Sequence, residues 1–443
     1  MLFPVSSLSS RSAYRVIAVL LLFFLIQQYL YFHESASASR KRPPNGDQSD
    51  PCGSLKGLDD LFVILRTGAT EAPKKLPVHF TTTLRCVPHF ALYSDYEEVI
   101  EGHQVHNALD EVDPDIIASH PDFEYYRRLQ EGGRAAFSAE ELTQWASAKN
   151  TNGGRDSPGW RLDKWKFLPV ADKAFRQQPD AKWYIFIESD SYMLWQTLLQ
   201  WLSHFDASKP HYLGMQMQIG DVIFAYGGSG FAISNPALKK VVEHRRANLK
   251  SYDDFTAGHW AGDCVLGKAL KDAGVNLLWS FPTLVGDQPS DMDYNTSFGG
   301  ADKTPWCYYA ASFHHLPPDE YPKFAKFEEV WNREHTSPLR HRDVFRSYVL
   351  PRISTEHSDW DNLSDHDEGT VGAFEECRQA CENKPDCLQF SVADNTCKTS
   401  TALKLGHRVS QTEKVKSGWI AGRLKDYVQR MDAKCGHKDW ILP

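Results

Sequence analysis

The residues Trp183-Tyr184-Ile185-Phe186-Ile187 form an unbroken apolar and aromatic run that ends on acid, at Glu188 and Asp190. The run is too short for a buried helix and suits a strand covered on both faces, as in a parallel sheet. Leu194, Leu198 and Leu202 then recur at helical spacing, so both carboxylates fall in a strand-to-helix turn. Open parallel sheets bind ligands at the carboxyl ends of their strands. Acids two residues apart in such a turn suit a hard divalent cation, because Mg²⁺ and Mn²⁺ take oxygen donors and keep positions open for a ligand's phosphate oxygens. The alternative is that Ser189, Asp190 or Ser191 only caps the helix that follows.

Around this stretch, 443 residues of 42% hydrophobic composition leave room for one large domain and a smaller one. A net charge of -8 argues against a nucleic-acid partner. Residues 1–15 read as a cytosolic tail, and the apolar run 16–32 approaches the roughly 20 residues of a bilayer span. Arg11 and Arg15 precede it, Tyr29 and Tyr31 form an aromatic edge, and no small-residue cleavage site closes it cleanly. The reading is an uncleaved signal-anchor. Arg40, Lys41 and Arg42 on the far side keep the charge rule from setting orientation, but the cysteine-bearing remainder favours a lumenal carboxyl terminus. A single-pass type II protein of the Golgi or ER membrane is expected, with a polar stem over residues 33–56. Asn295-Thr296-Ser297 and Asn362-Leu363-Ser364 are N-glycosylation sequons.

Residues 60–66 read as a strand ending in Arg66-Thr67-Gly68-Ala69, and residues 90–93 as another ending in Ser94-Asp95. Strands and helices alternate through the centre, so the class is α/β. Residues 97–155 suggest only surface loops and helices. Gly227-Gly228-Ser229-Gly230 precedes a strand-like run, where glycines let backbone approach a ligand or simply turn tightly; no Lys-Ser/Thr follows, which excludes a Walker P-loop. Asp263, in Gly262-Asp263-Cys264-Val265, opens a helix as a cap or as a base. Ser312-Phe313-His314-His315 ends a strand where a histidine could complete a metal site. Asp163, Lys164 and Lys166 could contact a donor; such a stretch is more often a solvated helix face.

In this order, the segments resemble the β1,3-glycosyltransferases of the core 1 galactosyltransferase and Fringe type, glycosyltransferase family 31. Glu188-Ser189-Asp190-Ser191-Tyr192-Met193 matches the family's Asp-Asp-Asp-Thr-Tyr-Val, and Gly227 to Phe231 its Gly-Gly-Ala-Gly-Tyr. Gly262-Asp263-Cys264-Val265 matches Glu-Asp-Val/Leu, and Ser312-Phe313-His314 matches Ser-Phe-His. Arg66-Thr67-Gly68 and Arg85-Cys86 look like the family's amino-terminal strand and neighbouring cysteine, so the resemblance spans residues 61–316. It implies a GT-A fold, a Rossmann-like mixed sheet flanked by helices, over residues 57–345. It also implies a UDP-sugar donor, Mn²⁺ or Mg²⁺, and inverting transfer of a hexose, galactose or N-acetylhexosamine, to a glycan or glycoprotein hydroxyl. Carried over by position, Asp190, His314 and Glu188 would hold the metal and Asp263 would be the base. Thr67, Asp95, Lys164, Glu188, Asp190, Gly228 and Gly230 would bind the donor. Glu188 and Ser189 depart from the metal motif and Gly262 from the acid before the base; these departures motivate a rival reading, a catalytically silent lectin-like or adaptor protein.

Cys377, Cys381, Cys387, Cys397 and Cys435 crowd the last part of the chain, after a polar linker over 346–372. Cys377 and Cys381 lie one helical turn apart. Zinc competes with disulfides here, but the spacings lack a paired C-x-x-C and a lumenal chain favours disulfides. Residues 373–425 resemble a PAN/apple module, a small α+β unit that binds protein or carbohydrate, which implies the pairs Cys377–Cys397 and Cys381–Cys387. Cys52, Cys86, Cys264, Cys307 and Cys435 stay unassigned, and residues 426–443 read as a tail.

Overall fold

The computed structural model describes residues 52–53, 55–147, 157–300, 303–436 and 440–443. The apolar run 16–32 and most of the expected stem lie outside the described residues; among those residues, no helix is long and apolar enough to cross a membrane.

In chain order the first strands are β1 (Leu61–Arg66), β2 (Phe90–Ser94), β3 (Glu98–Ile100), β4 (His103–Asn107), β5 (Trp183–Glu188) and β6 (Tyr192–Met193). They are followed by β7 (Tyr212–Gly214), β8 (Gln216–Ile219), β9 (Val222–Ala225), β10 (Phe231–Ser234), β11 (Leu277–Trp279) and β12 (Ser312–Phe313). Eight of them make one sheet in the order β11-β7-β10-β5-β1-β2-β4-β3. Its centre, β5-β1-β2-β4, is parallel, whereas β10 runs against both of its neighbours and β3 against β4. The apolar run that opens the sequence argument is β5, and both of its faces are covered. Tyr184 and Phe186 join Phe62 and Ile64 of β1 in one core, with Val170, Leu238 and Val265 from the helices Phe167–Gln177, Asn235–Ala247 and Gly262–Asp272. Trp183, Ile185 and Ile187 join Leu61, Val63 and Leu65 in the other, with Leu76 and Leu198 from the helices Ala72–Thr81 and Trp195–Leu202. Side chains that alternate across a strand need apolar neighbours on both sides, and each large one buried this way contributes about 1.5–3 kcal/mol. That is why β1 and β5 are continuous apolar runs instead of alternating ones.

The carboxyl-terminal part differs from the sequence expectation. Residues 346–372 are not a linker: they supply β13 (Glu356–Ser358), β14 (Trp360–Asp361) and β15 (His366–Thr370). With β16 (Gln389–Ala393), β17 (Thr396–Ser400), β18 (His407–Arg408) and β19 (Lys416–Trp419) they form a five-stranded sheet, β13-β19-β16-β17-β15, and a β14–β18 ribbon. β13 and β15 lie at the edges and are largely exposed, so they carry no apolar alternation for a sequence reading to find. Nor are residues 426–443 a loose tail, because the helix Ala421–Ala433 buries Tyr427 and Met431. Disulfides join Cys377 to Cys397 and Cys381 to Cys387, the pairs that the resemblance implies, and fasten the helix Phe374–Glu382 to the sheet. Cys52–Cys86 ties the segment before β1 to the loop before β2, and Cys307–Cys435 crosses to the terminal helix; Cys264 is unbridged. Asn362 is fully buried and its amide donates to the carbonyls of Phe390 and Gly418, so its sequon is closed to glycan in the folded chain.

The two parts share a core. Leu388, Leu403, Leu405, Trp419, Tyr427 and Met431 pack with Tyr192, Leu194, Trp306, Phe313 and Phe345. Trp306 donates its indole N–H to Asp432, which also pairs with Arg346. A chain ending at residue 345 is therefore expected to lose its folded state. In the full chain, Cys307→Ser with Cys435→Ser lowers the unfolding free energy by about 2–4 kcal/mol in a denaturant titration. A truncated chain with the wild-type midpoint would show instead that the second sheet is dispensable.

Candidate active site

The carboxyl ends of β1 and β5 open into a cavity of about 460 Å³, within the range of small-ligand sites. The β1–β5 register places Arg66 opposite Glu188, and the guanidinium donates to Glu188 Oε1 at 2.8 Å while lying 3.4 Å above the Phe167 ring. After Glu188 the chain turns: Ser191 N–H donates to Glu188 O, and Ser191 Oγ donates to Gly228 O at 2.7 Å, tying the glycine segment to the acidic turn. β6 then pairs with β12, Phe313 opposite Tyr192, which carries His314 back onto Asp190. His314 Nε2 lies 3.1 Å from Asp190 Oδ1, and the Lys75 ammonium lies 3.4 Å from Oδ2.

Donor atoms of Asp190, His314 and His315 lie within 4.8 Å of one another at this cavity. One carboxylate oxygen and two imidazole nitrogens fit a first-row divalent ion such as Mn²⁺. His315, absent from the expected set, joins Asp190 and His314 in this trio; Glu188, expected there, also lines the cavity, gives Oε1 to Arg66 and leaves Oε2 4.0 Å from His314. Burial works to raise the Asp190 carboxyl, but the hydrogen bond and charge of His314 and the Lys75 charge outweigh it and hold Asp190 well below the ordinary range. Burial works to lower His314, and its bond to Asp190 raises it instead. Glu188 is raised by burial, with Arg66 opposing.

Across the cavity, Asp263 sits in the first turn of the helix Gly262–Asp272, whose N-cap is Ala261. It is not the cap. Its Oδ2 accepts from Gly227 N at 3.0 Å and its Oδ1 from Cys264 N at 2.8 Å, while burial pushes the carboxyl up to about 6 against these two bonds. Gly262, where the resemblance implies an acid, is forced by packing: a Cβ there would lie 2.3 Å from the Phe167 ring and 2.6 Å from Lys164 Cα.

The other expected donor residues divide between the cavity wall and the interior behind it. Thr67 and Gly228 line the cavity, and Thr67 Oγ1 donates to Ser189 Oγ. Asp95 is fully buried away from the cavity wall, where it accepts from Ala69 N and the Lys166 ammonium. Lys164 reaches the wall, but its ammonium is taken by the carbonyls of Ala257 and His259 and by Asp122. Gly230, at φ 71, serves the turn into β10 instead of the cavity. The solvated-face reading of the Asp163 to Lys166 segment fails, since Lys164 and Lys166 are 8% and 1% exposed. Arg66 and Lys75 went unassigned because only the tertiary fold brings them to the acids; the doubled histidine was the visible sign of His315.

Gly228 lies directly under His314, so that an added Cβ would come within 2.2 Å of the imidazole Cε1. Gly228→Ala is accordingly expected to displace His314 and weaken Mn²⁺ affinity at least tenfold by calorimetry, with the thermal midpoint little changed. Wild-type affinity would show that the imidazole can shift without loss.

No curated protein matches the chain. The segment that supplies Glu188, Asp190, Gly228 and Asp263, residues 161–281, matches the family model described as Fringe-like, which supports a glycosyltransferase-type domain at this site.

Proposed function

We propose that this chain is an inverting glycosyltransferase that moves a hexose, galactose or an N-acetylhexosamine, from a UDP-sugar to a glycan or glycoprotein hydroxyl, in a β1,3 linkage. The observation that carries the reading is a candidate divalent-ion ligand set and a half-buried carboxylate with a raised pKa on the wall of one cavity. Asp190, His314 and His315 would hold Mn²⁺, which when bound supplies a Lewis acid for the charge developing on the UDP leaving group. Thr67 and Gly228, which line the cavity, would contact the donor. Asp263 takes the proton from the acceptor hydroxyl as that oxygen bonds to the anomeric carbon; the bond from that carbon to the phosphate oxygen breaks, its electron pair leaving with UDP. Gly227 N and Cys264 N fix the Asp263 carboxylate, and each oxygen keeps a lone pair for this transfer. Arg66 pairs with Glu188 and Asp163 at the cavity wall, and Lys166 pairs with Asp95 and Asp163, so these acids are already neutralised by the chain.

The proposed setting is the lumen of the Golgi or ER, with residues 16–32 as anchor and residues 373–425 as a PAN/apple-like module. Full-length chain incubated with a panel of UDP-sugars tests the activity: Mn²⁺-dependent UDP release supports it. Sugar binding without release from any donor would favour the silent, lectin-like reading.

A further inference from the structure

The two sequons are presented in opposite ways. Asn362 is fully buried and its carboxamide is used at both ends: Nδ2 donates to the carbonyls of Phe390 and Gly418, while Oδ1 accepts from Ser364 N and Ser364 Oγ. The hydroxyl that completes this sequon is therefore spent inside the fold. Asn295 lies instead in a turn, where its backbone N–H donates to Asp293 Oδ1 at 2.9 Å and the Thr296 N–H to Asp293 O. Thr296 and Ser297 are exposed, and Asn295 is half-buried. The Lys434 ammonium donates to Asn295 Oδ1 at 2.6 Å. An ammonium can only donate, so the carboxamide oxygen is the atom that faces Lys434, and Nδ2 is left on the other branch. Among the described residues, none accepts a hydrogen bond from Nδ2.

The cysteines point to the compartment in which such an amide would be modified. Four disulfides use eight of the nine cysteines, and such bonds form and persist in an oxidising space such as the ER lumen. We propose that Asn295 carries an N-linked glycan in the folded chain and that Asn362 does not. This rests on the lumenal setting proposed above and is independent of the transferase reading. Nδ2 bonds to the anomeric carbon of the first sugar of a lipid-linked oligosaccharide diphosphate. The bond from that carbon to the diphosphate oxygen breaks, its electron pair leaves with the lipid diphosphate, and Nδ2 gives up one proton. Oδ1 keeps the bond from Lys434 throughout, so the modification costs the fold no contact. None of residues 293–297 lines the cavity, whereas Lys434 closes the terminal helix next to the Cys307–Cys435 bond. The glycan therefore projects from the end of that helix, away from the candidate active site.

Full chain from eukaryotic cells, digested and mapped by mass spectrometry without reduction, tests the site. The wild type is expected to carry glycan on the peptide with Asn295, removable by an amidase that leaves aspartate there, and none on the peptide with Asn362. Asn295→Gln and Ser297→Ala should each lose all N-glycan, and Ser297→Thr should keep it, with the four disulfides present in every variant. Ser297→Ala separates the sequon from the Asn295–Lys434 bond, which it leaves intact. Unmodified Asn295 in a wild-type chain whose disulfides have formed overturns the site and spares the lumenal setting. Unmodified Asn295 beside free thiols sinks the setting and the modification together. Glycan on Asn362 in the fully disulfide-bonded chain overturns the division between the two sequons. The transferase reading is judged separately, by UDP release.

Discussion

Asp190→Ala is expected to abolish Mn²⁺-dependent binding of UDP, and with it to lower turnover by roughly 10³ or more, the several kcal/mol that a bound cation contributes at a developing phosphate charge. The size of the effect follows from the arrangement. Asp190 is the only carboxylate in the converging trio, and His314 and Lys75 each direct a nitrogen at one of its oxygens. Glu188 cannot replace it without leaving Arg66, which would strand a buried guanidinium. Asp190→Asn is the folding control, because the amide oxygen can still accept a hydrogen bond while the charge is lost; it should unfold like the wild type and still fail to bind metal with UDP. His314→Ala should fall in the same class as Asp190→Ala, and His315→Ala should weaken metal affinity more mildly, its ring being exposed. Calorimetry of Mn²⁺ with UDP reads all four. Undiminished Mn²⁺-dependent UDP binding by Asp190→Ala would remove the metal site from this turn.

Asp263→Asn is expected to leave that binding nearly unchanged while turnover drops by roughly 10²–10⁴, the contribution of a positioned general base. The metal ligands engage the donor in the ground state, whereas proton removal matters only as the acceptor oxygen attacks, so the loss falls on the chemical step. The fold should tolerate the change, because an asparagine oxygen can still accept from Gly227 N or Cys264 N. The pH profile gives an independent signature. Burial raises the Asp263 carboxyl to about 6, and a base works only when ionised. Wild-type kcat/KM should therefore rise with pH through about 6 and level off above it, and residual activity in Asp263→Asn should lack that acid limb. Full turnover by Asp263→Asn at saturating donor and acceptor would make this carboxylate structural.

The strand at residues 183–187, the acids at its end and the α/β class were legible because they depend on local order. A continuous apolar run can be satisfied only by burial on both faces, and a ligand-binding end follows from strand polarity. The same holds for Asp263 and the glycine segment, and for the paired cysteines near the carboxyl terminus, where short spacings limit what can meet. What the sequence could not decide was partnership across long separations. Arg66 reaches Glu188 through the β1–β5 register, Lys75 reaches Asp190 from a helix over 100 residues earlier, and His314 reaches it through the β6–β12 ribbon. Only these contacts turned Glu188 to Arg66 and brought His315 forward. The carboxyl-terminal sheet was hidden for a related reason: its edge strands are polar and exposed, so their identity rests on hydrogen bonds to β17 and β19 and not on any pattern of their own. Gly262 shows the same division at one position, since the sequence displays the missing acid but only the packing of Phe167 and Lys164 shows that nothing larger than hydrogen fits there.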